Sequence, residues 1–142
     1  MKLGLDHCFV CGKNNPHGLH VTFEQVGEEA VATYQCTEDM NGWPGIQHGG
    51  ITAALLDEAA GYVPRFLGVV TVTARLDIRY LEPIRIGEKL RITGRLIKRT
   101  ARKMEVESTI AGEDGTIKAQ SLAVLVVLND RQREKLGLAE IS

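Results

Sequence analysis

A single long helix set among strands is the feature that most limits how this chain can fold. In the 142-residue sequence one strong helical pattern runs from Gly50 to Phe66, where Ile51, Leu55, Ala59, Tyr62 and Phe66 fall on one stripe at spacings of three and four. Pro64 removes a backbone donor and is expected to bend or fray the last turn, and Gly68 supplies a stop. Before the helix, Leu19–Phe23 and Ala30–Cys36 alternate apolar and polar as half-buried strands do, with Gly27-Glu28-Glu29 as the turn between them. After it the period is two again. Thr71–Leu81, Lys89–Lys98, Met104–Ala111 and Ile117–Leu128 read as strands, broken at Glu82-Pro83, Ile86-Gly87-Glu88 and Gly112-Glu113-Asp114-Gly115. The almost wholly apolar run Leu122–Leu128 predicts a central strand covered on both faces. Asn129 is placed to cap a short helix over Arg131–Leu136, closed by Gly137. One helix cannot cover both sides of a sheet, so the economical arrangement is a single antiparallel sheet curled around it, an α+β fold. With neither repeats nor linkers, residues 1–142 are expected to form one domain, with 1–17 an N-terminal Cys-x-x-Cys loop segment and 129–142 a short helix and tail.

Composition narrows the partners. The chain is 44% hydrophobic and 25% charged, with a formal net charge of −1, so the basic excess that marks a nucleic-acid partner is missing. No stretch is long and apolar enough to span a membrane, and the opening Met1-Lys2-Leu3-Gly4-Leu5-Asp6-His7 lacks the apolar run of a signal peptide. Three cysteines, an odd number, suit a reducing compartment. These features predict a cytoplasmic protein that uses neither nucleic acid nor membrane.

Chemistry concentrates where the helix begins. His48-Gly49-Gly50 runs straight into it, and backbone amides at a helix N-terminus can hold a developing negative charge. Asp57 and Glu58 follow in mid-helix, where a carboxylate can act as base or nucleophile. At 100° per residue Glu58 falls inside the apolar stripe and Asp57 about a quarter-turn away, among Gly50, Ala53, Ala54 and Gly61. Such small neighbours leave room for a ligand, or equally let a second helix pack closely with Asp57 solvated or salt-bridged. Taken alone, Glu58 reads as paired with an arginine at the edge of the core, and His48 as a histidine held in a turn.

The segment Gly42-Trp43-Pro44-Gly45-Ile46-Gln47-His48-Gly49-Gly50, followed by Leu55-Leu56-Asp57-Glu58-Ala59, resembles the hotdog-fold thioesterases, in particular the PaaI-like acyl-CoA thioesterase group. Thr73 through Tyr80-Leu81-Glu82-Pro83 and the later Gly87-Glu88 extend the match, which covers roughly Gly18 to Leu128. The resemblance implies a hotdog fold and hydrolysis of an acyl-CoA thioester to the free acid and CoA, with neither metal nor organic cofactor. By the same resemblance Gly49 supplies the amide that polarises the thioester carbonyl, and His48 shapes its loop. Asp57 looks like the base or nucleophile, Thr73 assists it or its water, Asn41 orients water or carbonyl, and Glu58 is the reserve acid.

Helix geometry tests that assignment. Gly49 and Asp57 are eight residues apart, so at a rise of about 1.5 Å per residue their backbones lie roughly 12 Å apart. A reacting carbon needs donor and attacking group each about 3 Å away. If both residues are catalytic, they must come from two copies of the chain, packed about a two-fold axis as a homodimer or a dimer of dimers. Gly50, Trp43 and Tyr62, with Phe66 and Leu67, are the candidate pocket lining, and Arg99 and Arg102, at a strand turn, are candidates to meet the CoA phosphates. Aryl, short and medium acyl groups all remain open. Arg75, Asp77 and Arg79 alternate on one strand and read as a cross-strand salt-bridge face. Cys8-Phe9-Val10-Cys11-Gly12 looks like half of a zinc knuckle. His7, His17, His20 and Cys36 stand at no diagnostic spacing to complete it, and half a ligand set favours no metal; the resemblance implies that this opening is a turn motif of the PaaI-like group. The rival from another class is a non-catalytic acyl-CoA-binding or sensing protein that keeps the cleft.

Overall fold

The structure is a computed structural model that describes residues 5–139. Six strands make one antiparallel sheet: β1 (Glu24–Val26), β2 (Glu29–Gln35), β3 (Thr71–Tyr80), β4 (Lys89–Arg99), β5 (Lys103–Gly112) and β6 (Ile117–Val127). They lie in the order β1-β2-β4-β5-β6-β3, every neighbouring pair antiparallel. The long helix α1 (Gly49–Phe66) packs on one face of the sheet, and the short helix α2 (Asp130–Lys135) follows β6. α2 begins in a reciprocal cap, in which the Asn129 side chain accepts from the Gln132 N–H and the Gln132 side chain accepts from the Asn129 N–H.

α1 is held by a close approach rather than by shape alone. Leu55, Leu56, Ala59, Ala60 and Val63 are buried against Ile92, Met104, Val106, Ile110 and Leu125 of the sheet. A Cβ at Gly94 of β4 would sit 2.6 Å from the Ala59 carbonyl oxygen, so only glycine lets the helix settle there. Gly94 pairs with Ser108, which pairs with Ser121, so a row of small residues crosses the sheet under the helix. The buried face of α1 is turned by roughly 70° from the stripe that spacing picks out. Its centre runs through Leu56, Ala59 and Val63, and Ile51, Tyr62 and Phe66 lie at its margin. Pro64 is buried inside the helix, which continues to Phe66.

Two expectations are corrected. Leu19–Phe23 is not a strand: the N–H groups of Leu19 and Val21 donate to the carbonyls of Phe9 and Val10, and His20 has a φ of 56°. Val21 and Phe23 are still buried, so the alternation reports burial correctly while the ladder starts only at Glu24. The β1–β2 turn does fall at Gly27, with φ 61°. Second, β6 is covered on one face within the chain. Ala119, Ser121, Ala123 and Leu125 point inward and are buried, whereas Leu122 is exposed and Val124 and Val126 are only half-buried on the other face. Among the described residues no helix is long and apolar enough to cross a membrane.

Candidate active site

The start of α1 is a fixed loop end. The His48 N–H donates to the Met40 carbonyl at 2.7 Å, and its ring Nδ1 accepts from the Gly50 N–H at 2.8 Å, which caps the helix. Asn41 accepts the Gly45 N–H on its Oδ1 at 3.0 Å, closing the turn that carries Trp43. Beneath the loop, Gln47 is buried. It accepts from the Tyr34 hydroxyl and donates to Thr52 Oγ1, both at 2.8 Å. Burial pushes the Tyr34 phenol well above its usual range, so it stays a donor. The Gly49 N–H has no acceptor among the described residues and stands at the exposed helix start, while the Gly49 carbonyl accepts from the Tyr80 hydroxyl at 2.9 Å. The structure thus makes His48 a cap and Asn41 a turn closer, leaving one backbone donor free.

Further along α1 the arrangement is complementary. Asp57 Oδ1 accepts from the Thr73 hydroxyl of β3 at 2.7 Å. Both line a cleft of about 280 Å³ with Glu58, Gly61, Arg65 and Thr71. Gly49 belongs to other hollows, one shared with Tyr80 and Thr52 and one with Asn41, Trp43 and His48. Within one chain, then, the donor end and the carboxylate end stand apart, in line with the helical rise.

The remaining candidates separate. Glu58 has no arginine partner; its Oε2 accepts from the Cys8 thiol at 3.1 Å, and Cys11 stands beside it. Burial first, then the Glu58 carboxylate, push the Cys11 thiol up to about 12. Tyr62 does not face the Asp57 cleft. It stacks on Phe23 at 4.8 Å and touches Phe66 at 5.4 Å, with the Arg65 guanidinium 4.4 Å over its ring. Trp43 is 81% exposed at the loop tip. The Gly50 N–H is consumed by His48. Arg99 and Arg102 sit at the β4–β5 hairpin, outside the lining of the Asp57 cleft. Arg75 and Asp77 pair at 3.1 Å along one strand rather than across two, and the cross-strand pair is Arg95 with Glu107.

Sequence reasoning missed Tyr80, Gln47 and Arg65. Tyr80 shares the strand parity of Leu76 and Ile78 on β3, which is the signal that puts it on the α1 side of the sheet, where it is exposed and its hydroxyl reaches the helix start. Arg65 lines the cleft with Asp57, and its buried Nη1 has no hydrogen-bond partner among the described residues.

One antiparallel sheet with a single long helix packed on its face is the hotdog architecture. The thioesterase superfamily model matches residues 44–119, more than half of the chain, and the chain belongs to that family. It is 31% identical over 108 residues to acyl-coenzyme A thioesterase THEM4 of Rattus norvegicus, covering 75% of this chain and 46% of that protein. It thus spans about half the length of the curated relatives it matches first. Among solved structures, the thioesterase superfamily protein RHA08564 superposes with a TM-score of 0.81 at 30% identity, over 85% of this chain and 60% of that one. The PaaI protein of E. coli shares the fold with a TM-score of 0.75 at 21% identity, over 84% of each chain.

Proposed function

We propose that the chain is an acyl-CoA thioesterase whose active site is built from two copies. Asp57 of one protomer acts as base or nucleophile, and the Gly49 N–H of the other polarises the thioester carbonyl. The observation that carries the reading is the pairing of a free backbone donor with a separate hydrogen-bonded carboxylate on one helix. The edge strand β3 supports the two-copy arrangement. It contacts Asp57 through Thr73 near one end and Gly49 through Tyr80 at the other, and its outer edge has no partner strand among the described residues. A long free edge is a template for pairing. Antiparallel pairing of two copies through the middle of β3 would bring the Thr73 end of one against the Tyr80 end of the other, and so Asp57 toward Gly49, twice.

In this reading Thr73 holds the carboxylate in one rotamer, and His48 and Asn41 hold the loop that presents the donor. Trp43 and the Arg99–Arg102 hairpin are the outer contacts for acyl-CoA. A thioester has little resonance stabilisation, so one oriented donor and one carboxylate-activated water suffice; losing such a donor costs on the order of 3 kcal/mol. The test is release of free thiol from a panel of acyl-CoAs by wild type and Asp57→Asn. Turnover by the wild type with a loss of about 1000-fold in the variant is expected. Equal rates sink the assignment of Asp57, and tight acyl-CoA binding without turnover by the wild type favours the sensing protein instead.

A further inference from the structure

At the margin of that cleft, the N-terminal turn brings two thiols onto the Glu58 side of α1. Cys8, Cys11 and Glu58 each offer a ligand atom, and the three atoms lie within 4.8 Å of one another. The turn is built for this. The Gly12 N–H donates to the Cys8 carbonyl at 2.9 Å, and the Asn14 N–H to the Asp6 carbonyl at 2.9 Å. A Cβ at Gly12 would come within 2.4 Å of the Cys8 nitrogen and 2.6 Å of the Asp6 and Cys8 oxygens, so this fold of the backbone requires glycine. Its effect is to put both sulfurs on one side, facing a carboxylate 50 residues away in sequence.

Among the described residues that carboxylate has no ion-pair partner, the ion pairs being Arg75–Asp77, Arg95–Glu107 and Lys118–Glu88. A half-buried anion facing two sulfurs is the donor set of a borderline-soft divalent cation. We propose that Cys8, Cys11 and Glu58 bind one such cation, of the zinc class, with water as the fourth ligand. With Zn–S near 2.3 Å and Zn–O near 2.0 Å, a tetrahedral site has S–S and S–O edges of about 3.8 and 3.5 Å. The Cys8 Sγ–Glu58 Oε2 distance of 3.1 Å already falls below the S–O edge, and within the 4.8 Å limit the S–S pair exceeds its edge by at most about 1.0 Å and the other S–O pair by at most about 1.3 Å. Small side-chain rotations close the site. The ion would pin the N-terminal turn to α1 beside the cleft that Leu5 and Glu58 both line. The proposal stands apart from the thioesterase reading, because its readouts are metal content and spectra.

Purified protein is assayed for zinc, then stripped with a chelator and titrated with Co²⁺. About one zinc per chain is expected, and a thiolate-to-cobalt charge-transfer absorption that added Zn²⁺ abolishes. Cys8→Ser with Cys11→Ser should lose both signals. Glu58→Gln should weaken Zn²⁺ by more than ~100-fold, since even loss of an outer-shell partner costs 10–100-fold. Should the double variant not fold, the wild-type cobalt spectrum and the Glu58→Gln titration decide alone. A wild type without zinc and without the charge-transfer absorption overturns the proposal. So do zinc retained in the double variant, and a Cys8–Cys11 disulfide in protein prepared without oxygen.

Discussion

The N-terminal end of α1 and its middle differ in what each fixes and what each leaves unfinished. At the start, four residues from Asn41 to His48 spend their polar groups on one another and on Met40, Tyr34, Gly50 and Thr52: Asn41, Gly45, Gln47 and His48 close the loop, and Gly49 is left with an unused N–H. Two turns on, Asp57 has a hydroxyl donor and a cleft. One end offers a donor held rigidly without an acid nearby, and the other an acid without a backbone donor. On the proposed two-copy reading, the contrast teaches that catalytic parts can be positioned fully by one chain and still be assembled only by two. Scaffolding is what the fold supplies locally; juxtaposition is what association supplies.

The strongest way to break this contrast is to remove the acid. Asp57→Asn keeps the Thr73 contact in shape but not its basicity, and should lower kcat/KM by about 1000-fold in a thiol-release assay. Next in size is the donor. Gly49 is the first residue of α1, where proline fits because that N–H makes no helical bond, and His48 before it has the extended ψ of 134° that a following proline prefers. Gly49→Pro therefore deletes the donor with the helix intact, and should cost about 100-fold in kcat. A 1:1 mixture of the two inactive variants, after subunit exchange, should regain about a quarter of wild-type activity, because half of the random dimers carry one intact site of two. Activity that stays at the level of the separate variants, with exchange verified by mass spectrometry, rules out a shared site.

Much of this was legible in the residues. Period-two runs after Phe66 gave β3 to β6 to within a residue or two, because β4, β5 and β6 each have one buried face, and β3 a half-buried one at Leu76 and Ile78, and alternation records it. The single helix and its start were equally plain. What could not be read is where non-local partners lie. Glu58 was expected against an arginine and meets Cys8, because a turn 50 residues earlier folds under it. Leu19–Phe23 alternates like a strand, yet its N–H groups go to Phe9 and Val10. The stripe on α1 was misjudged because Ala60 and Val63 are buried by the close approach at Gly94, which is a property of the sheet and not of the helix. At the candidate site, Asp57 and Gly49 stand out by residue type together with the family resemblance, whereas Tyr80 is recognisable only once β3 is placed beside α1.

A smaller effect sharpens the acid side. Thr73→Val removes the hydroxyl from Asp57 while keeping the volume. The hydrogen bond is exposed, so about 1.4 kcal/mol, or roughly 10-fold in kcat with KM nearly unchanged, is the expected loss. Steady-state kinetics decide: a rise in KM at constant kcat would assign Thr73 to substrate binding and leave Asp57 positioned by its own helix.

The smallest change addresses the face between the two ends. Gly61 lies on the open side of α1, lines the Asp57 cleft, and a Cβ added there meets nothing within 4 Å in the single chain. Glycine in a helix interior is less favourable than alanine by roughly 1 kcal/mol. If nothing but solvent covers this face, Gly61→Ala should stabilise the protein by up to that amount and leave turnover alone. If a second copy or the acyl group closes on it, the same methyl group should raise KM or weaken self-association while the gain in helix propensity is cancelled. Thermal denaturation together with sedimentation and acyl-CoA kinetics on one variant separates the two. Only the second outcome would assign to the partner or to the substrate a glycine that the isolated chain has no steric need for.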